Sequence, residues 1–268
     1  MDRLIINADD FGLTEGINDA VIECYRRGVI TSATLLVTAP AAGHAAVLAA
    51  QNPGLGVGLH LNLTTGEPVL PAGRVASLVG AGGRFPGLAR AALRLSTGRA
   101  RAGELEAELK AQLERLRTLG VTASHIDSHH HLHAHPRLRH IITRVCPPLG
   151  IVRMRGYRMR VSGAKALAVR LAAAAPAGAR AGALVTPERF SGIETMGGRD
   201  FAPLLAQELA RGAGTLEFMC HPGRPDDELR RRSRYNEPRG RELAALLDPS
   251  FGKMLEASGV RLVSFAGL

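Results

Sequence analysis

The apolar residues in the first quarter of the chain form two kinds of stretch, short continuous runs and longer segments with helical spacing. The continuous runs occupy residues 4–8, 32–38 and 56–63. Runs of this length without polar alternation predict buried parallel strands. The first helical segment follows Thr14, a residue type that caps helices, and stops at Gly28, and the second covers residues 41–51. Strand, helix, strand, helix, strand is the order of a parallel sheet with crossover helices.

The same alternation continues to the end of the chain. Helices are predicted at residues 104–119, 138–146, 165–174, 201–211, 239–248 and 249–257. Further strands are predicted in the approach to residue 129 and at residues 150–154, 214–220 and 260–265. Two irregular excursions, at about 64–102 and 155–199, interrupt this rhythm. The first is too long for a simple connection, so we expect it to pass over a functional site.

About seven strands alternate with helices and no flexible polar linker divides them, so we expect one α/β domain over residues 1–268. An open doubly wound sheet and a barrel both fit this order. No Gly-x-Gly-x-x-Gly motif follows the first strand, which weakens the open dinucleotide-binding sheet. Barrels place active residues at the C-terminal ends of several strands. Polar residues fall at those ends here, at Asp9, Asp10, His60, Asp127, His129, Arg153 and His221. We therefore predict a TIM-like, incomplete or distorted (β/α) barrel of about seven parallel strands.

Six of the ten histidines lie between residues 124 and 136. A purification tag would be terminal, and a metal-buffering tract would lack a strand leading into it, so this cluster predicts a metal or catalytic site. On an extended chain His125, Asp127 and His129 share one face, and His129 lies furthest towards the mouth. Asp127 would then orient an imidazole. A helical turn could instead bring His133 to the same ion as His129, so His133 stays the alternative ligand.

Two adjacent carboxylates, Asp9 and Asp10, end the first strand. In an extended chain they point to opposite sides, so both serve one site only if the strand has ended, which the following Phe-Gly allows. The other interpretation is a turn in which they accept hydrogen bonds from loop amides. His60 stands at the end of an apolar strand and would supply a nitrogen ligand. Two histidines and one carboxylate with open positions are the usual catalytic metal arrangement.

Two more strand ends carry candidate chemistry. His221 follows a strand and can protonate an amine leaving group near neutral pH, so we expect it to act as a general acid. Its neighbour Cys220 has nothing around it in sequence to lower a thiol pKa, so we expect a buried packing residue. Arg153 could clamp a carboxylate through its planar guanidinium.

Composition excludes some classes of function. The net charge of +10 comes almost wholly from scattered arginines, which are also common where codons are GC-rich, and the absence of Trp argues against a stacking surface for single-stranded nucleic acid. Three widely spaced cysteines with no Cys-x-x-Cys pair predict neither a disulfide framework nor a structural zinc site. No apolar run has the length of a membrane span. The sequence enters a strand at once, so we expect no signal peptide and a cytoplasmic location.

Four motifs together resemble one family. They are Asn-Ala-Asp-Asp-Phe-Gly at 7–12, Gly-Leu-His at 58–60, His-Ile-Asp-Ser-His-His-His-Leu-His at 125–133 and Cys-His-Pro at 220–222. In this order they resemble the YdjC-like carbohydrate deacetylases, which include chitooligosaccharide deacetylases and a branch associated with hopanoid biosynthesis. The resemblance runs from the first predicted strand to the last, and the two excursions are the parts it does not match.

The resemblance implies a TIM-like barrel enzyme that removes acetyl from an N-acetylated sugar. Matching motif positions imply Asp10, His60 and His129 as ligands of a divalent ion and Asp9 as the base. The implied ion is Mg²⁺; two imidazoles are softer ligands than magnesium prefers, so Zn²⁺ is the alternative. The expected partner is the sugar substrate, with no nucleic acid and no stable membrane insertion, and family habit suggests a homodimer.

Two other functions fit parts of the sequence. A metal-dependent phosphoesterase could use the same ligands, but two-metal versions need more bridging carboxylates than this sequence offers. A basic nucleic-acid-binding protein with a structural metal would show salt-sensitive affinity for DNA or RNA. The order of the four motifs favours the deacetylase.

Overall fold

The protein is described by a computed structural model over residues 2–160, 163–174, 184–196 and 201–268. Parts of the second predicted excursion, residues 161–162, 175–183 and 197–200, lie outside the described residues. Seven strands are found in the described part: β1 (Arg3–Phe11), β2 (Ser32–Leu35), β3 (Gly56–Leu61), β4 (Ile126–Ser128), β5 (Arg189–Ser191), β6 (Thr215–Cys220) and β7 (Arg261–Leu262). Every strand pairing among them is parallel.

Helices connect and cover these strands. They are α1 (Glu15–Arg26), α2 (Ala42–Gln51), α3 (Leu88–Ser96), α4 (Ala102–Thr118), α5 (Pro136–Val145), α6 (Ala164–Ala174), α7 (Phe201–Ala210), α8 (Asp227–Arg232), α9 (Glu237–Leu247) and α10 (Pro249–Ser258). Short 3-10 turns occupy Ala72–Val75, His129–Ala134, Pro147–Leu149 and Phe265–Gly267. The predicted cap of the first helix is confirmed, because the Thr14 hydroxyl accepts the Ile17 amide at 3.3 Å.

The sheet curls into the predicted incomplete barrel. Its strand order is β4-β3-β2-β1-β6-β5, and β7 pairs with the start of β1. Beyond β4, isolated bridges join Ile126 to Met154 and Arg153 to Val185. The regular strand predicted at residues 150–154 is therefore reduced to these bridges. The short strand β5 lies within the second excursion, where no strand was predicted, and it pairs with β6.

The two faces of the central strand β1 meet different surroundings. Leu4, Ile6 and Ala8 are fully buried in the main apolar core. The alternate residues Asn7 and Asp9 are also buried, and their side chains share a hydrogen bond of 2.9 Å. Side chains two apart on a strand point to the same face. The inner face of the sheet therefore carries polar groups, which must find partners inside the protein.

The first excursion, after β3, is fastened to helix α4. The buried Glu108 carboxylate accepts the backbone amides of Val69 and Leu70 at 2.8 and 3.1 Å. Gln112 accepts the Asn62 amide at 3.0 Å and donates to the Asn62 carbonyl at 2.7 Å. These bonds hold the excursion over the C-terminal ends of the strands, as its length suggested. Across the described ranges, no helix combines the length and apolar character needed to cross a bilayer.

Candidate active site

A cavity of about 730 Å³ opens at the C-terminal ends of the strands. Five of the six residues predicted to carry chemistry line it: Asp9, Asp10, His60, His129 and His221. They come from the ends of β1, β3, β4 and β6, the edge at which barrel enzymes hold their active residues. Arg153 is the exception, and the structure does not bring it to the described lining of the cavity.

A β-bulge lets both neighbouring carboxylates serve this cavity. On β1, three residue steps from Ala8 to Phe11 match two steps on β2, from Ala33 to Leu35. The extra residue is accommodated because Asp10 adopts a left-handed conformation with φ of 63°. This resolves the geometric difficulty seen in the sequence, where an extended chain would point the two side chains apart.

Asp10, His60 and His129 form a compact group of potential metal ligands. The Asp10 Oδ1 atom lies 2.9 Å from His129 Nδ1 and 3.3 Å from His60 Nε2. One ligand atom from each residue lies within 4.8 Å of the others. Among the described residues, Asp10 Oδ1 is buried without a hydrogen-bond donor in good geometry. A buried carboxylate oxygen that lacks such a donor and lies beside two imidazoles is a suitable ligand for a divalent cation.

The alternative ligand His133 lies elsewhere. Its ring Nδ1 is 2.7 Å from the Ser128 hydroxyl, and its backbone amide donates to the same oxygen at 2.8 Å. Its ring also packs against Tyr157, with centroids 5.3 Å apart. His133 does not line the cavity in the described residues, because His130 and His131 turn the chain through left-handed conformations with φ of 60° and 58°.

His125, the first histidine of the cluster, is a packing residue. Its ring stacks on Phe265 with centroids 3.7 Å apart, and its Nε2 lies 3.2 Å from Asn7 Oδ1. Burial holds the pKa of His125 well below the ordinary value, and the Arg155 charge adds to this effect. A neutral, buried imidazole with hydrogen-bond partners supports the barrel wall, and His125 is not among the described residues that line the cavity.

Asp127 orients His60, as the spacing predicted. Asp127 Oδ1 lies 2.7 Å from His60 Nδ1, and the Thr34 hydroxyl lies 3.1 Å from the same nitrogen. Burial alone would lower the pKa of His60, but Asp127 and Asp10 raise it to about 10. Ligation of a cation requires the neutral ring, so metal binding would displace a proton from His60. The contact with Asp127 at Nδ1 leaves Nε2 directed at Asp10 and the ligand group.

A fully buried arginine, Arg155, holds the carboxylates behind the cavity. Its two terminal nitrogens donate to the two oxygens of Asp9 at 2.6 and 2.8 Å. One of them also lies 2.9 Å from Asp127 Oδ2, and Nε donates to Glu217 at 2.7 Å. Burial would raise the pKa of Asp9, but the Arg155 guanidinium holds it well below the ordinary value. At Glu217 the effect of burial is larger than that of Arg155, and the pKa of Glu217 rises to about 8.

Arg155, two residues beyond the predicted Arg153, is the arginine that makes these carboxylate contacts. Arg153 lies within the fifth predicted strand and Arg155 directly after it, and the Arg155 amide still donates to the Ile126 carbonyl at 3.1 Å. The extended backbone therefore continues past the predicted end at residue 154. Two residues further along a strand move a side chain by about 6.6 Å, which is enough to reach the carboxylates at the C-terminal edge.

A second buried arginine, Arg239 of α9, contacts the other side of Asp10. Its Nη2 donates to Asp10 Oδ2, and its Nε donates to the Tyr235 carbonyl at 2.8 Å. Burial raises the pKa of Asp10, yet His129 and Arg239 together hold it well below the ordinary value. Sequence reasoning missed this arginine, which sits among many others in an Arg-rich segment far from β1.

The general-acid candidate His221 lies beside a buried glutamate. Glu242 Oε2 accepts the His221 backbone amide at 2.6 Å and lies 3.8 Å from the ring Nδ1. Tyr235 donates its hydroxyl to the other oxygen of Glu242. Glu242 could not be identified from the sequence, since a buried glutamate at this position of a helix looks the same as a solvent-exposed one.

The mouth of the cavity is strongly basic. Among the described lining residues, one exposed glutamate, Glu67, stands against five exposed arginines: Arg84, Arg115, Arg231, Arg232 and Arg234. Arg84 pairs with Glu67 at 2.9 Å, and Arg232 pairs with Glu228 at 3.1 Å. The remaining excess of positive charge would attract an anionic ligand, more strongly at low salt.

Known proteins are similar to this chain in sequence and in fold over nearly its full length. A family model described as YdjC-like protein matches residues 3–257. A carbohydrate deacetylase of Geobacillus stearothermophilus is 36% identical over 267 residues, which cover 97% of this chain and 96% of that relative. A chitooligosaccharide deacetylase of Serratia marcescens is also 36% identical over 267 residues, covering 99% and 98%.

A solved structure has a similar fold over nearly the full length of both chains. It is that of an Enterococcus faecalis V583 protein assigned to cellobiose-phosphate cleavage, with a TM-score of 0.82 and 27% identity. The match covers 99% of this chain and 98% of the other. The four sequence motifs, the incomplete barrel and these full-length similarities agree, and the chain belongs to the YdjC-like family.

Proposed function

We propose that this protein is a metal-dependent carbohydrate N-deacetylase, a hydrolase that cleaves the amide of an N-acetylated amino sugar and releases acetate. The observation that carries the proposal is the convergence of Asp10, His60 and His129 on one point beside a separate carboxylate, Asp9, in an open cavity. The names of the relatives, carbohydrate deacetylase and chitooligosaccharide deacetylase, support the same chemistry.

Asp10, His60 and His129 are the residues that would hold the divalent ion. When bound, the ion supplies a Lewis acid that polarises the acetyl carbonyl and makes a water molecule more acidic. The family resemblance favours Mg²⁺, whereas two imidazole ligands favour Zn²⁺ or another transition ion. Restoring each ion separately to chelated protein distinguishes them.

Asp9 and His221 are the proposed proton carriers. Arg155 keeps Asp9 ionised at neutral pH and fixes both of its oxygens; the ionised form is the one that can accept a proton from the attacking water, and the same ion pair lowers its basicity. His221 also lines the cavity and donates a proton to the amine nitrogen as the bond to the acetyl carbon breaks. The base and the acid are thus separate groups with different partners.

The charge at the mouth further supports a substrate with an anionic substituent. Five exposed arginines surround the entrance, and a sugar phosphate would meet several of them. The structural relative assigned to cellobiose-phosphate cleavage is consistent with this proposal. A phosphorylated N-acetylglucosamine oligomer should therefore have a lower KM than its neutral counterpart, and added salt should reduce the difference.

Acetate release tests the proposal. Neutral and phosphorylated N-acetylglucosamine oligomers are given to purified protein, to chelated protein, and to chelated protein with Mg²⁺ or Zn²⁺ restored. We expect metal-dependent release that is lost in Asp10→Asn and retained in Asp19→Asn, the same change at an exposed position on α1. Failure of every sugar with metal bound would contradict the proposal, and hydrolysis of phosphoesters under those conditions would favour a phosphoesterase.

A further inference from the structure

A buried carboxylate, Glu242, lies directly behind the cavity and takes no part in the mechanism described above. It belongs to α9, and its exposed fraction is 1%. A buried carboxylate needs compensating donors, since burial without them is strongly unfavourable. The groups that compensate Glu242 therefore indicate what it does.

The donors come from two residues that line the cavity. Glu242 Oε2 accepts the backbone amide of His221 at 2.6 Å, and Oε1 accepts the Tyr235 hydroxyl. The rings of His221 and Tyr235 meet edge to face, with centroids 5.5 Å apart and planes at 67°. Glu242 thus joins the peptide of His221 to the ring that packs against its imidazole, and this limits how the imidazole can turn.

The imidazole itself faces the carboxylate through one nitrogen. His221 Nδ1 lies 3.8 Å from Glu242 Oε2, close enough for electrostatic attraction. A proton on Nδ1 is favoured by that carboxylate, so Nε2 is the nitrogen that would exchange a proton with a substrate. The same carboxylate favours the charged imidazolium, which is the form that can donate a proton.

Other charged and titratable groups surround this pair. Asp9 of β1 and Arg239 of α9 act on the charge of Glu242, and Cys220 of β6 is close enough to be affected by it. Burial raises the pKa of Glu242 to about 7, while the Tyr235 hydroxyl, the His221 amide and Arg239 oppose the rise. The charge of Glu242 therefore depends on the Tyr235 hydroxyl, the His221 amide and Arg239, all of which stabilise the ionised carboxylate.

We propose that Glu242 is a positioning residue for deacetylation, which holds His221 with Nε2 towards the sugar nitrogen and stabilises the imidazolium that protonates the departing amine. The inference rests on the proposed function for its substrate. Water first adds to the acetyl carbon and gives a proton to Asp9. In the step, the bond from that carbon to nitrogen breaks, its electron pair stays on nitrogen, and the nitrogen takes the proton from His221. The carbonyl re-forms and acetic acid leaves, which ionises to acetate. Tyr235 completes the arrangement by fixing the second oxygen of Glu242.

The test compares Glu242→Gln with Glu208→Gln in the metal-loaded full-length protein. Glutamine keeps the size and one acceptor oxygen but removes the charge. Glu208 is the matched control, because it is also a buried glutamate. It is 4% exposed on α7 and pairs with Arg189 and Arg211 away from the cavity. We expect kcat of Glu242→Gln to fall by about tenfold to a hundredfold while KM and metal affinity stay unchanged.

The pH profile separates positioning from a general structural effect. A general acid is active below its titration point, so activity is lost as pH rises through it. Removing the Glu242 charge should move this basic limb to lower pH by about one unit. Glu242→Asp, which keeps the charge, should restore the position of the limb in part. An unshifted limb in Glu242→Gln, or the same change in Glu208→Gln, would overturn the proposal.

An NMR titration of the histidine rings makes the outcome independent of the substrate. The His221 signal is identified by its loss in His221→Gln, and its titration midpoint is compared between wild type and Glu242→Gln. A midpoint lowered by about one unit supports the pairing even if the sugar proves to be wrong. An unchanged midpoint overturns it even if acetate is released, so failure of this inference is distinguishable from failure of the proposed function.

Discussion

Replacing Arg155 with methionine removes the only charge that bridges three buried carboxylates among the described residues. Arg155 is fully buried and lies within 2.9 Å of oxygens from Asp9, Asp127 and Glu217. Methionine fills much of the same space without a donor. The variant therefore isolates the effect of the guanidinium from that of a cavity.

The expected loss of unfolding free energy depends on which hydrogen bonds each carboxylate keeps when Arg155 is removed. Asp127 keeps its contacts with His60 and Thr34, and Glu217 is largely protonated because its pKa is already raised to about 8. Asp9 keeps only the Asn7 amide at 2.9 Å among its described hydrogen bonds. Most of the cost therefore comes from one buried charge without a counterion, about 3–5 kcal/mol. That is a large part of a typical unfolding free energy of about 5–15 kcal/mol.

Urea unfolding of chelated protein, followed by circular dichroism, measures this difference. Circular dichroism is the suitable signal because the chain contains no tryptophan. In the wild type the pKa of Asp9 is lowered on folding, so its contribution is present at neutral pH and lost only in strong acid. In Arg155→Met burial would raise that pKa, so the penalty is full at neutral pH and disappears as Asp9 takes up a proton. The difference in unfolding free energy between wild type and Arg155→Met should therefore become smaller as pH falls from 7 to 4.5.

Arg117→Met is the matched control, because Arg117 pairs with Glu114 at an exposed position on α4. It should leave the unfolding midpoint unchanged. A gap for Arg155→Met that is below about 1 kcal/mol, or equal at both pH values, would refute the reasoning about an uncompensated Asp9.

Two further predictions concern the ligand group and the barrel wall. His129→Ala should abolish tight divalent-ion binding in calorimetry, whereas His133→Ala should retain it because His133 contacts Ser128 and lies outside the cavity lining; equal losses would reinstate His133 as a ligand. Gly58→Ala should destabilise the fold by about 1–3 kcal/mol in urea, because the added methyl would lie 2.6 Å from the His125 ring and 2.7 Å from its carbonyl. Gly43→Ala in α2 meets no atom within 4 Å and should be stabilising, so a loss of stability there would contradict the packing argument.

The elements set by local patterns could be predicted from the sequence. Helix α1 was expected from Thr14 to its glycine stop and is found at Glu15–Arg26, because the cap and the apolar spacing act within a few residues. The buried strands β1 and β3 were equally clear from their continuous apolar runs. The grouping of Asp10, His60 and His129 could be predicted too, since parallel strands bring their C-terminal ends to one edge and these residues stand at those ends.

The partners behind the site could not be predicted, because they depend on the order of strands in the sheet. Arg155 and Asp9 are 146 positions apart, and Arg239 and Asp10 are 229 apart. They meet because β1 lies in the middle of the sheet, between β2 and β6. Strand β5 was missed for a different reason, since three residues carry no measurable periodicity.

The three left-handed residues at the site, Asp10, His130 and His131, have a consequence for attempts to stabilise the enzyme. Side chains other than glycine rarely adopt this conformation, and each such residue holds about 1 kcal/mol or more of backbone strain. A selection for thermal stability alone would therefore favour glycine at these positions. The gain would remove the carboxylate of the ligand group or the imidazoles that line the cavity. Stability and activity are opposed here within single residues, and thermostable variants should be sought away from the strand ends.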